Sequence, residues 1–213
     1  MKKSFVLGML GLAAITASSF GAGYILLDNY DSNLNPPITY GIDIPANGVS
    51  GPLGTPGTGL LAGWTVGIYY ANGNVLSQVA PDPTGSAIPT TLYPGFVLGT
   101  GPGSTALIYT SVLNLVPGEF LSPNTLNVGG NAGDLITAEV VAYDTADGSY
   151  AAARYRAHSA PFTMPTLSVI SPPTINLVGD YMPAFSVGVP EPSMVALGGL
   201  AGLSLWLLRR KKD

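Results

Sequence analysis

Glycine and proline punctuate this chain so often that a long helix has little room to form. They occupy 28 and 19 of the 213 positions, about 22% together. Proline removes a backbone donor and glycine is costly to order, so both end helices and mark turns. The apolar runs left between them read as strands. Leu135–Tyr143 is the clearest: Ile136, Ala138, Val140 and Ala142 share one side, Thr137 and Glu139 the other, with the period of two of a pleated strand. Trp64–Tyr70 is the best in the first half. Asn72-Gly73 after it supplies the positive φ angles of a tight hairpin, so Val75–Val79 is expected to return antiparallel. Tyr24–Leu27, Ile38–Ile44, Phe96–Leu98, Ala106–Leu115, Leu126–Val128, Phe162–Met164, Leu167–Ile170, Thr174–Val178 and Tyr181–Val187 read as further strands. Tyr150–His158 reads as a strand or a helical turn.

Short strands, turns about every 8–12 residues and no amphipathic helix predict an all-β fold. The specific expectation is one antiparallel β-sandwich, Ig-like or jelly-roll-like, with long Gly/Pro loops, over residues 23–188. The glycine and proline share lies below the roughly 25–30% of low-complexity chains, and the aromatics are spread along the sequence. There is no cysteine. Disulfides and thiolate metal sites are thereby excluded, and the fold must rest on its apolar core. A domain of roughly 165–170 residues buries roughly 70% of its unfolded surface, enough for such a core.

Charge is distributed unevenly. Lys2 and Lys3 precede the apolar run Phe5–Ala17, and small residues follow. This is the pattern of a secretory signal peptide over residues 1–22, cleaved after Ser19 or Ala22. An uncleaved anchor is the alternative, since Phe5–Leu27 carries no charge. Gly23–Val189 holds ten acids, no lysine and only two arginines, Arg154 and Arg156. So acidic a domain is a poor nucleic-acid binder.

The far end carries Val189-Pro190-Glu191-Pro192-Ser193, an uncharged run over 193–208, and Arg209-Arg210-Lys211-Lys212. As a helix those 16 residues would span about 24 Å, short of a hydrocarbon core of roughly 30 Å. The expectation is a marginal transmembrane helix. Its four cations stay cytoplasmic as a stop-transfer tail, so the middle of the chain lies outside. Pro190 and Pro192 keep the preceding segment extended, and Glu191 adds one charge for recognition.

Pro-Glu-Pro-Ser, a Gly/Ala/Leu-rich apolar run and a basic tail, in that order over roughly the last 25 residues, resemble the sorting signal of bacterial PEP-CTERM proteins. Within residues 133–150, Gly-Asp-Leu-Ile-Thr-Ala-Glu-Val-Val-Ala-Tyr-Asp-Thr-Ala-Asp-Gly-Ser-Tyr is similar to small PEP-CTERM proteins of Verrucomicrobia and related bacteria. There the strand often carries Arg-Ala-Trp-Asp where this chain has Val141-Ala142-Tyr143-Asp144. The resemblance implies export by the Sec machinery and a membrane intermediate. Recognition by an exosortase at Pro190, Glu191 and Pro192 would follow, with release to the cell surface or extracellular polysaccharide of a Gram-negative bacterium.

No set of residues in the middle announces catalysis, and no cofactor or metal is expected. His158 is the only histidine. Ser159 beside it would point to the opposite face of a strand, so the two form no nucleophile–base pair, and a loop or edge histidine is expected. Arg154 and Arg156, spaced i and i+2, would share one face of a strand. There they would grip a carboxylate or acidic sugar or, more simply, balance Asp144 and Asp147. Asp28 with Asp31, and Asp144 with Asp147, read as turn formers rather than calcium ligands. Trp64, Tyr69, Tyr70, Tyr143 and Tyr150 are either core or a sugar-stacking platform. Glu119 and Glu139 are the only glutamates available for a hydrolase pair. The expectation is an exported, non-enzymatic surface or matrix protein. A carbohydrate-binding or adhesin module is the alternative, and a secreted hydrolase a further one.

Overall fold

The computed structural model of the protein describes residues 22–31, 34, 37–41, 55–108, 116–167 and 177–188. All of the expected signal peptide but its last residue lies outside these, as do the sorting motif, the run 193–208 and the basic tail. So do 42–44, 109–115, 168–170 and 174–176, parts of four expected strands.

Among the described residues there are ten strands: β1 (Ala22–Asp28), β2 (Ile38–Tyr40), β3 (Trp64–Asn72), β4 (Val97–Leu98), β5 (Thr105–Leu107), β6 (Leu121–Asn131), β7 (Leu135–Asp144), β8 (Arg156–His158), β9 (Phe162–Pro165) and β10 (Phe185–Val187). Helix among the described residues is limited to one turn, α1 (Pro89–Leu92), and three short 3-10 turns. The fold is all-β and largely antiparallel, as the glycine and proline spacing requires.

β3 and β7 form its spine, paired without a break from Trp64 opposite Asp144 to Asn72 opposite Ile136. The main sheet runs β1-β6-β5-β3-β7-β8, with β4 also on β3 and β9 also on β7. Leu167, two residues past β9, exchanges both backbone hydrogen bonds with Tyr24 of β1, at 2.9 and 3.1 Å. The pairings therefore return to their starting strand. β2 and β10 form a separate parallel pair, tied to β8 by a bridge between Arg156 and Gly188.

Inward-facing residues of nearly every strand meet in one core, including Ile25, Leu27, Trp64, Val66, Ile68, Leu126, Ile136, Val140 and Met164. Each large apolar side chain buried there stabilises the fold by about 1.5–3 kcal/mol. The opposite face of β3 and β7 is covered too. Tyr69, Ala71, Val75, Phe96, Val141 and Tyr150 make a second cluster, contributed in part by residues 75–96 after β3. β7 is consequently buried on both sides, Thr137 and Glu139 included.

The hairpin expected after β3 does not form. Gly73 has the anticipated positive φ of 83°, but its N–H goes to Leu135 O at 2.8 Å. Thr137 Oγ1 then accepts from Val75 N and donates to Gly73 O. Residues 76–78 follow as a 3-10 turn. β3 already has β7 on one edge and β4 and β5 on the other, so no edge remains for a returning strand.

β6 is far longer than the expected Leu126–Val128. Its pairing with β1 is irregular between Leu26 and Asp28, which takes Pro123, with no N–H to give, out of the ladder. Of Tyr150–His158 only the last three residues are strand. The start is a turn in which Ala152 and Ala153 donate to Ser149 O. Of Tyr181–Val187 only β10 is strand.

Candidate functional site

The second face of β7 carries a cluster of ionisable side chains that the fold brings together from distant positions. It begins in the loop before α1, where Asp82-Pro83-Thr84-Gly85 has turn chemistry. Asp82 Oδ1 accepts from Thr84 N at 2.9 Å and Thr84 Oγ1 at 2.7 Å. Oδ2 accepts from Ser86 N at 2.9 Å and Ala87 N at 2.8 Å. Burial opposes ionisation of this carboxyl, but the hydrogen bonds from Thr84, Ala87 and His158 outweigh it and hold it well below the usual carboxylate range.

β8 presents His158 to the same loop. Its backbone N–H donates to Gly85 O at 2.7 Å, and Arg156 Nε donates to Ser86 O at 3.0 Å. The imidazole, 4% exposed, has Nε2 at 2.9 Å from Asp82 Oδ2. Nδ1 lies 2.8 Å from Ser159 O and 3.5 Å from Glu139 Oε2. A carbonyl oxygen and an ionised carboxylate can only accept, so each ring nitrogen faces an acceptor, an arrangement that suits a proton on both. Long-range proton–nitrogen NMR of the folded protein should find a hydrogen on each ring nitrogen; the signature of a single neutral tautomer would refute the assignment.

Glu139 completes the cluster from β7. It is fully buried, and neither carboxylate oxygen has a hydrogen-bond partner. Burial pushes its carboxyl up to about 7; the His158 charge pulls it down and Asp82 pushes it further up. Asp82, Glu139 and His158 line a cavity of about 400 Å³, walled otherwise by apolar groups such as Val79, Pro81, Leu92 and Pro161.

The site forms no nucleophile–base pair: both His158 ring nitrogens face acceptors other than Ser159 Oγ, and Ser159 Oγ accepts from Val140 N at 3.1 Å. Glu139 alone offers unused lone pairs, to a proton or to a cation. Among the described residues no group of three His, Asp or Glu side chains is placed to hold a metal ion.

The histidine expected in a loop or on an edge lies on β8, the last strand in the sheet order, and is buried between two acids. Arg154 and Arg156 do not share a strand face, because Arg154 precedes β8. Neither guanidinium balances Asp144 or Asp147. Arg156 binds the carbonyls of Ser86, Tyr150 and Ala151, and Arg154 lies 5.4 Å from the Tyr155 ring. The aspartates are turn formers: Asp28 Oδ1 accepts from Tyr30 N, Asp144 from Ala146 N and Asp147 from Arg154 N. Trp64 lies in the main core and Tyr69 in the second cluster, 1% and 7% exposed, so neither offers a ring face to a sugar. Glu119 accepts from Val116 N within its own turn, and Glu139 faces His158 instead.

Sequence reading missed Asp82 altogether and missed the burial of Glu139. The signals that were present are the Asp-Pro-Thr-Gly turn and a solitary histidine, 76 residues apart. Pro190, Glu191, Pro192 and the four tail cations lie outside the described residues. Among the described residues no helix is long and apolar enough to cross a membrane. Comparison with protein-family models, with curated proteins and with solved structures finds no match to this chain.

Proposed function

We propose that this chain is an exported protein with a structural or interaction role, sorted to the cell surface or an extracellular polysaccharide matrix through residues 189–213. The partition of charge carries the reading: cations flank two apolar runs, and the domain between them holds ten acids against two arginines. Two crossings with that polarity leave the domain outside. Pro190-Glu191-Pro192 then serves as the recognition segment for an exosortase acting on a membrane-held intermediate that the Sec machinery has delivered. The domain itself is a sandwich-like closure of its main sheet, a reading supported by the core drawn from β1 and β6 as well as β3 and β7. A non-catalytic role is favoured by the commitment of both His158 nitrogens and of Ser159 Oγ to other groups.

Intact-mass analysis of surface-associated protein tests the sorting step. The expected mass lacks both the residues before the domain and Arg209–Asp213. Surface material that retains Arg209–Asp213 would overturn the proposal, as would full-length chain found only inside the cell and never with membrane.

A further inference from the structure

We propose that the cavity between segment 79–92 and the face of β7 and β8 is a binding site for a small organic cation, a protonated amine on a short hydrocarbon body, with the Glu139 carboxylate as its counter-charge. The inference stands apart from where the chain is sent. Three observations meet on it. Glu139 is fully buried and its oxygens accept no hydrogen bond, His158 Nδ1 standing 3.5 Å from Oε2; that is costly for an ionised carboxylate unless a donor fills the role. Asp82 and His158 satisfy one another at 2.9 Å, so an ionised Glu139 leaves the cluster with one uncompensated negative charge. The remaining walls, Val79, Pro81, Leu92 and Pro161 among them, are apolar, and the cavity measures about 400 Å³, within the range of small-molecule sites.

The same features exclude other ligand classes. An anion would face two carboxylates. A neutral apolar molecule would fill the walls but leave Glu139 without a partner. Asp82 cannot compete for the cation, because its lone pairs already receive Thr84, Ser86, Ala87 and His158. Recognition therefore falls on a single carboxylate at one end of an apolar chamber, which suits one ammonium and a hydrocarbon stem.

A proton is the natural competitor. The charged and titratable groups around Glu139 are Asp82 from the loop, His158 from β8, Tyr69 from β3 and Tyr150 from the turn before β8; the Arg156 guanidinium is held on the carbonyls of Ser86, Tyr150 and Ala151. With Glu139 raised to about 7 by burial, the ammonium should bind more weakly as pH falls through neutrality.

The test uses the full-length chain with n-hexylammonium, n-hexanol and n-hexanoate as probes, following the amide signals of Val79, Leu92 and His158 by NMR. Hexylammonium should saturate those signals with an affinity at least about tenfold above hexanol, the equivalent of one charge-assisted contact. Hexanoate should not bind, and acidification from pH 8 to about 6 should weaken hexylammonium alone. Glu139→Gln should remove the preference for the cation and leave hexanol unchanged, and Leu92→Trp, which fills the chamber, should abolish both. Equal affinity for amine and alcohol overturns the proposal, as does hexylammonium binding that survives Leu92→Trp. Silence of the three signals up to about 100 mM probe also overturns it, since even weak small-ligand sites respond there. Should Glu139→Gln fail to fold, the three-probe comparison and Leu92→Trp decide the matter between them.

Discussion

Replacing Asp82 with asparagine should destabilise the domain by roughly 3–5 kcal/mol, the cost of breaking one member of a buried ion pair. The shape of the side chain is nearly kept, so the loss is chemical. Asp82 accepts from Thr84, Ser86 and Ala87 and faces His158 Nε2, with its own side chain only 6% exposed. Asparagine places an NH₂ where one oxygen stood, and a donor there meets the N–H groups that the carboxylate now accepts from. The loop 82–87 would lose its internal ties and its fastening to β8 together. Denaturant titration reads the effect as a lowered midpoint with little change of slope. For a domain of this size the melting temperature should fall by roughly 2–4 °C per kcal/mol. Because the folded carboxyl titrates below its ordinary range, its contribution is present above about pH 4 and is lost as pH falls through the lower folded value. The gap between the two proteins should therefore narrow only in acid. A midpoint unchanged by Asp82→Asn at neutral pH would mean that the cluster is not a clasp.

What could be seen of this clasp beforehand follows from which interactions are local. β3 and β7 were legible because period two is written in consecutive residues, and Ile136, Ala138, Val140 and Ala142 do face the main core. The fate of Val75–Val79 was not, because it turns on competition for the edges of β3. Its rivals there, β4, β5 and β7, lie elsewhere in the sequence. Glu139 is the sharper case. Alternation places it correctly on the face with Thr137, and a half-buried strand would turn that face to water. Its cover comes from residues 75–96, which have no periodic pattern, only a 3-10 turn, one turn of helix and the aromatic rings of Tyr93 and Phe96. An irregular layer leaves no signature in hydrophobic spacing. Pro123 is a different case: a proline argues against a strand, yet the irregular register between Leu26 and Asp28 accommodates it within β6.

Replacing Glu139 with glutamine should have the opposite sign and make the domain more stable above neutrality. Burial raises the folded carboxyl to about 7 from an ordinary value of 4.5. The folded state then holds a proton that the unfolded state has released, so wild-type stability falls as pH rises between those two values. The full span corresponds to up to about 3 kcal/mol. Glutamine is neutral throughout and escapes that slope. Unfolding free energies of the two proteins from denaturant titration should lie close together near pH 5 and separate by about 1–3 kcal/mol in favour of the variant at pH 8. Asp28, raised to about 6 by its own burial, tilts both curves equally and cancels in the difference. Parallel curves from pH 5 to 8 would show that Glu139 is already satisfied when ionised. A separation of the expected sign has a further meaning. The carboxylate would then weaken the fold at the pH where it is charged, and its presence would have to be explained by what enters the cavity rather than by what holds the sheet together.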